Sequence, residues 1–518
     1  MRKQKYGIGT QDFETLIERG FVYVDKTPLL AELLDGSDFY FLSRPRRFGK
    51  TLFLSTLENF FMAKRNLFKG LYIDSYPWKW EEYPVIRIDM TGENYKVRGN
   101  LERKLDRVFQ IFEQTYNISS ADDSMSGRFE TIIRKAYEIT GKKVVILIDE
   151  YEKPLLDAFE NKELLARQAD LLSAVYSVIK LQDSYLRFVF ITGITRFGHL
   201  NIFSGLNNIR DISLDDKFAS ICGLTQNEIE DYLHLGIEDF AANHNMSYDK
   251  ALELLKNYYD GYHFSGSLID IYNPYSVLNC LESKRITANW FITGSPSFLL
   301  NVLKKSHFNL SNLEESHISE TDLLGADSSM KDDITLLYQS GYLTIKAYDP
   351  DGSYYTLGVP NNEVKQALYE TIIPFYMGAE RKVSGLEVKT VADYLLEGQP
   401  GKAMLWLKSF FGGIPYSVRL NFEKDFQFLL VCFFSLLGMR ELLTVEKQTA
   451  NGRIDMVIQT PKFVYVFEFK RGDSAQSAIE QINSKDYTLP WVSLDRKVFK
   501  IGVAFSPSIR GISDFIIQ

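Results

Sequence analysis

Cysteine is scarce in this chain of 518 residues: only Cys222, Cys280 and Cys432 occur, far apart and in apolar surroundings. No CxxC pair or Cys/His ligand spacing exists, which argues against a structural zinc site and a disulfide framework and fits a reducing interior. Long apolar runs are lacking as well. The greasiest stretch, residues 426–439, is too short to cross a bilayer and reads as a buried helix. The start, MRKQKYGIGTQDFETL, is basic but has no apolar segment of the signal-peptide kind. A cytoplasmic protein with no membrane partner is expected. Positive charge is not in excess either. The formal net charge of -8 argues against a surface coated with basic residues for nucleic acid, while leaving room for a local basic groove. The six histidines are scattered, and no Ser/His/Asp or Cys/His arrangement can be built from them. His199 and His263 read as structural residues.

What is present is ordinary for a folded protein: 45% apolar and 24% charged residues, over a length that calls for about two to four domains. Residues 1–213 alternate short apolar strands (39–42, 85–90, 144–148, 186–192) with helical patterns (50–61, 100–116, 164–181), as a parallel α/β domain does. Residues 214–400 are helical with short polar loops. Within them a helix at 333–341 precedes two strands, 342–345 and 354–357, around the turn Asp349-Pro350-Asp351-Gly352, the pattern of a winged-helix unit. Such a unit serves in DNA contact or in protein packing. Residues 401–518 return to α/β, with a helix at 422–437, paired strands between 453 and 470, a further helix, and a strand at 498–505.

The first chemical signal is Ser43-Arg44-Pro45-Arg46-Arg47-Phe48-Gly49-Lys50-Thr51, between a strand and a helix. A P-loop curls successive backbone N–H groups around phosphates at a helix N-terminus. Its lysine reaches the β- and γ-phosphates, and its hydroxyl residue binds Mg²⁺. Lys50 and Thr51 fit those roles, Gly49 permits close backbone approach, and Arg46, Arg47, Phe48 and Leu52 complete the expected ATP contacts. In the GxxxxGK[ST] pattern Arg44 stands where glycine is usual. Arg44, Arg46 and Arg47 can touch phosphates or simply be solvated. The second signal is Val144-Val145-Ile146-Leu147-Ile148-Asp149-Glu150, an apolar strand ending in two carboxylates at the sheet edge where open α/β sheets bind ligands. Asp149 is expected to hold Mg²⁺ with Thr51, and Glu150 to polarise the attacking water. A third strand, ending at Thr192, places a hydroxyl near the γ-phosphate, with Arg196 as a charge-sensing group; a plain polar strand end is the alternative.

Taken together, Gly7-Ile8-Gly9, Asp12-Phe13, Tyr23-Val24-Asp25-Lys26-Thr27, RPRRFGKT from Arg44, LIDEYEKPL from Leu147, Tyr259-Asp260-Gly261-Tyr262-His263-Phe264 and Asn273-Pro274 resemble a bacterial and archaeal AAA-ATPase-like family. The resemblance covers about the first 280 residues. It implies that arginine in place of the first P-loop glycine is the family's norm, and that the YVDKT segment lies beside the nucleotide, near its base.

Near the C-terminus, Gly452-Arg453-Ile454-Asp455 leads through a turn at Thr460-Pro461-Lys462 into Val464-Tyr465-Val466-Phe467-Glu468-Phe469-Lys470. Glu468 and Lys470 share one strand face, and Asp455 can approach them from the neighbouring strand. Asp455 and Glu468 offer hard oxygen ligands for Mg²⁺, and Lys470 can orient a water or offset charge on a phosphate. Glu446 and Glu423 are candidates for a further carboxylate, and Gln481, with Tyr487, for orienting the site. This Asp…Glu-x-Lys pattern resembles the PD-(D/E)XK nuclease-like domain often fused behind such ATPases, which implies a restriction-endonuclease-like α/β fold. The leading expectation is an ATP-hydrolysing protein coupled to a metal-dependent nuclease-like domain acting on nucleic acid, DNA before RNA. The alternatives are a nucleotide-controlled switch whose nuclease-like module docks without cutting, and nucleic-acid binding without cleavage. A homo-oligomer, or a protein partner on the helical region, fits either of the first two.

Overall fold

The structure, a computed structural model, describes residues 4–118, 124–195, 208–290, 316–324, 333–368, 385–413, 430, 443–449, 451–492, 496–506 and 511–518. The chain divides into two compact units, Met1–Gly294 with Glu315–Glu363, and Ser295–Glu314 with Val364–Gln518.

The first unit is built on five strands: β1 (Phe39–Ser43), β2 (Val85–Asp89), β3 (Val144–Asp149), β4 (Leu186–Gly193) and β5 (Arg210–Asp211). Their order is β2-β3-β4-β1-β5, and all paired neighbours run parallel. β3 is apolar up to its final aspartate because it is buried at every position, as a central strand covered on both faces must be. The covering elements include α1 (Lys50–Phe61), α2 (Asn100–Thr115), α3 (Met125–Thr140) and α4 (Lys162–Leu181). Leu105 and Phe109 of α2, Phe129 and Ile133 of α3, and Leu172 and Ile179 of α4 share a core with Ile88, Ile146 and Ile191 of the sheet. Phe109 and Phe129 stack at 5.4 Å between ring centroids; truncating either to alanine is expected to cost about 3–5 kcal/mol. The consequence for function lies in the strand order. β4 falls between β1 and β3, so the C-terminal ends that carry the P-loop, Thr192 and Asp149 are adjacent.

The same unit continues into α5 (Gln226–Asn243), started by a capping box of Thr225 and Glu228, α6 (Tyr248–Tyr259) and α7 (Pro274–Ser283), which starts with Asn273 capping Ser276. Beyond them lie β6 (Ser316–Ser319), α8 (Asp333–Ser340), β7 (Thr344–Asp349) and β8 (Tyr354–Gly358). The three strands form an antiparallel sheet in the order β6-β8-β7. Asp349 tightens the hairpin by accepting the N–H groups of Asp351 (3.0 Å) and Gly352 (3.4 Å) on Oδ1. The helix and the second strand fall where the sequence predicts them, while the first strand starts at 344 instead of 342 and runs to 349, and β6 is an additional strand.

In the second unit α9 (Gly385–Leu396) and α10 (Pro400–Gly412) precede β9 (Leu443–Thr449), β10 (Gly452–Gln459), β11 (Phe463–Arg471), α11 (Ala475–Ser484), β12 (Lys497–Ser506) and β13 (Gly511–Ile517). The sheet order is β13-β12-β11-β10-β9; β11 and β12 are parallel and the other pairs antiparallel. α11 is the crossover a parallel pair requires. It rests directly on β12 at Gly502, where a Cβ would lie 2.4 Å from the carbonyl oxygen of Ala475. The expected helix at 422–437 falls almost wholly outside the described residues. Among the described residues no helix is long and apolar enough to cross a membrane.

Candidate functional site

The P-loop of the first unit joins β1 to α1. Two of its residues, Arg47 (φ 68°) and Gly49 (φ 99°), take left-handed backbone angles that curl the loop. A side chain at 49 would meet open space, so it is the angle that calls for glycine there. Gly49 caps α1 without any side-chain hydrogen bond, which leaves the first N–H groups of the helix for an anion. Lys50, 6% exposed, donates from Nζ to the carbonyl oxygens of Arg44 (2.8 Å) and Pro45 (3.0 Å). An ammonium has three hydrogens, so one remains for a phosphate oxygen. Burial pulls the Lys50 pKa down while Glu150, Asp149 and Glu152 hold it up. Thr51 and Leu52 sit half-buried in the first turn of the same helix.

Arg44 is not solvated. It is 2% exposed, and its guanidinium is held by backbone carbonyls. It donates to Ser43 O (2.8 Å), Ser213 O (2.7 Å) and Phe218 O (3.1 Å), and stacks 4.3 Å over the Phe264 ring. The residue replacing glycine therefore pins the loop to the chain at 213–218. Phe48 anchors it from the other side, edge-on to Tyr262 (4.8 Å) and Phe264 (5.2 Å), with its carbonyl bonded to Gly223 N–H (2.9 Å). Arg47 is exposed and lies over Tyr275 at 4.8 Å. Arg46 is half-buried. Its carbonyl accepts the indole N–H of Trp290 at 3.2 Å, a contact with no local sequence signal.

At the tip of β3, Asp149 is fully buried. Its Oδ1 accepts the Thr192 hydroxyl (2.7 Å) and the Glu150 N–H (3.1 Å), while Oδ2 has no hydrogen-bond partner. A buried carboxylate oxygen left open beside a hydroxyl-bearing P-loop helix suits a hard cation reached directly or through water. Glu150 stands in left-handed backbone (φ 49°). Burial pushes its carboxyl pKa up, opposed by Lys50 and Arg46 and reinforced by Asp149. Arg196 and His199 lie outside the described residues. Among the described residues no three His, Cys, Asp or Glu side chains form a metal cage; a Mg²⁺ shared with a triphosphate needs none.

The YVDKT segment packs on α1. The Tyr23 hydroxyl lies 3.5 Å from Thr56 Oγ1. Lys26 is spent inside the fold, bonded to Glu228 (2.6 Å) and Ser220 O (2.8 Å), and Asp25 accepts from Thr27 and from Tyr72 N–H. His263 bonds Ile345 O (2.6 Å) and Asp270 (2.8 Å), tying the YDGYHF segment to β7.

The second constellation lies on the β10–β11 hairpin. The register pairs Met456 with Phe467, so Asp455 and Glu468 are next in line and share a face. Asp455 Oδ2 takes the Phe469 N–H at 2.8 Å, and Lys470 Nζ lies 3.1 Å from Glu468 Oε1. Glu468 is 1% exposed, whereas Asp455 and Lys470 are half-buried. The sheet thus brings together the three residues named from sequence. The Gln481 side chain makes no hydrogen bond to them among the described residues, and Tyr487 packs in the core with Ile454 and Ile482. Glu446 falls on β9 but its side chain, like Glu423, is outside the described residues.

Fold and sites define an AAA-ATPase-like P-loop domain followed by a nuclease-fold domain. The model of the predicted AAA-ATPase family matches residues 7–203, and that of the PD-(D/E)XK nuclease superfamily matches residues 421–515. A protein of Azotobacter chroococcum mcd 1, described as "Uncharacterized protein in vnfD 5'region", is 32% identical over 532 residues, covering 100% of this chain and 99% of its own. The chain belongs to this family of AAA-ATPase-like proteins with a C-terminal PD-(D/E)XK nuclease-superfamily domain.

Proposed function

We propose that the chain binds Mg²⁺-ATP at the ends of β1, β4 and β3 and hydrolyses it, and that the β10–β11 hairpin is a metal-dependent phosphodiesterase site acting on nucleic acid, DNA foremost. The observation that carries the first half is the unpartnered Oδ2 of buried Asp149, which suits a cation while Thr192 fixes the other oxygen. Lys50 and the α1 N-terminus hold the phosphates, Thr51 and Asp149 the metal, and Glu150 takes the proton of the attacking water. Thr192 and Arg196 sense the γ-phosphate. A bound Mg²⁺ neutralises charge developing on the phosphoryl oxygens. In the hairpin, Asp455 and Glu468 would hold a metal, and Lys470 would offset charge on the scissile phosphate.

The test uses the full chain with Mg²⁺-ATP and, separately, plasmid and linear DNA. Lys50→Ala should weaken nucleotide affinity by about a hundredfold. Asp455→Ala and Lys470→Ala should abolish DNA cleavage with folding intact. Unchanged ATP binding in Lys50→Ala removes the first assignment, and equal cleavage by the hairpin variants removes the second. A nucleotide-controlled switch with a non-cleaving module is favoured by one observation, the Trp290 indole bonded to the P-loop carbonyl of Arg46. Tight ATP binding with no cleavage and a nucleotide-dependent change of assembly state would select that reading.

A further inference from the structure

Beyond their sheet bonds, the tips of β3 and β4 are tied by a second set of hydrogen bonds. Tyr151 donates its N–H to Thr192 O (3.2 Å) and its hydroxyl to Thr195 O (2.9 Å). Glu152, 1% exposed, turns its side chain back under the loop and takes the Ile194 N–H on Oε1 at 2.6 Å. Its Oε2 has no hydrogen-bond partner and fills the space where Gly193 has no side chain. A Cβ at 193 would lie 2.2 Å from that oxygen and 2.8 Å from the Tyr151 ring. Burial raises the Glu152 pKa to about 7. Burying a carboxyl in such a place is costly unless the connection it makes across the two strand tips matters.

We propose that Glu152 is a positioning residue for ATP hydrolysis, holding the β3 exit that carries Glu150 in register with the β4 exit that carries Thr192. This rests on the ATPase reading above. Glu150 occupies left-handed backbone between two anchors: Asp149, bonded to Thr192, and the Tyr151–Glu152 pair, bonded across to residues 192–195. Non-glycine residues are uncommon in that region, and here hydrogen bonds on both sides hold the backbone in it. Without the brace the Glu150 carboxylate loses its fixed direction, and a displacement of about 1 Å costs roughly a hundredfold in rate. Nucleotide affinity is set by Lys50 and the P-loop N–H groups and does not follow.

The experiment measures phosphate release and affinity for a fluorescent ATP analogue with Mg²⁺ in the full chain, for wild type, Glu152→Ala, Glu152→Gln and Tyr151→Phe. In Glu152→Ala kcat should fall roughly 10- to 100-fold with affinity within about threefold of wild type. Glu152→Gln keeps a neutral acceptor for the Ile194 N–H and should recover kcat to within about fivefold of wild type, while Tyr151→Phe should lose about three- to tenfold. Unchanged kcat in Glu152→Ala, or a loss of affinity matching the loss of turnover, overturns the positioning role and leaves the ATPase reading standing. A wild-type chain without Mg²⁺-dependent turnover overturns both. Should Glu152→Ala not fold, as judged by circular dichroism, undiminished turnover in Tyr151→Phe overturns the role instead.

Discussion

Arg44 shows how a residue can leave a motif intact while changing its mechanics. A glycine there would make the ordinary P-loop pattern, yet here the guanidinium fills a buried slot and satisfies two carbonyls across the fold. Arg44→Gly is accordingly predicted to destabilise the first unit by about 3 kcal/mol, through the lost side-chain volume and two buried carbonyls left unpaired. Thermal unfolding of the variant decides it; an unchanged or higher midpoint would refute the pinning role. Glu150→Gln keeps the side chain's shape and removes the proposed base. It should bind Mg²⁺-ATP as wild type does and lose about a hundredfold in turnover, which single-turnover phosphate release would show. A variant that lost binding instead would mean Glu150 belongs to the metal shell.

At the scale of elements, what was legible followed from backbone chemistry. β3 is readable because a strand buried on both faces must be apolar throughout, and the P-loop because its N–H geometry demands Gly49, Lys50 and Thr51 in sequence. The hairpin residues Asp455, Glu468 and Lys470 follow from the two-residue period and a short turn. β5, Arg-Asp, and β6, Ser-His-Ile-Ser, carry no such signature; strands so short exist only through their partners. Glu152, Trp290 and the role of Arg44 were hidden for a related reason. Their partners are distant in sequence, so no local pattern records them.

Glu363, just beyond β8, is another residue of this kind. It is fully buried, accepts from Ser276 Oγ (2.8 Å) and Trp290 N–H (2.9 Å), and burial raises its carboxyl from 4.5 to about 7. The folded chain therefore holds this proton where the unfolded chain has released it. The contribution to stability is full below the unfolded value and is lost as pH rises through the folded one. Glu363→Gln keeps the acceptor without the charge, so its melting point should match wild type near pH 5 and exceed it at pH 8. Parallel curves across that range would show that the group does not govern the slope.

For the molecule as a whole, two compact units on one chain mean that a single unfolding free energy does not describe it. Scanning calorimetry should resolve two transitions, of which Mg²⁺-ATP raises the one belonging to the first unit. If ATP shifts both equally, the units unfold as one body.

The hydrogen bond from the Trp290 indole to Arg46 has one more use. An indole tethered to the loop between β1 and α1 changes its surroundings whenever that loop moves. On the ATP-binding reading proposed above, the emission spectrum, compared with that of Trp290→Phe, is expected to shift when Mg²⁺-ATP is added, without any label.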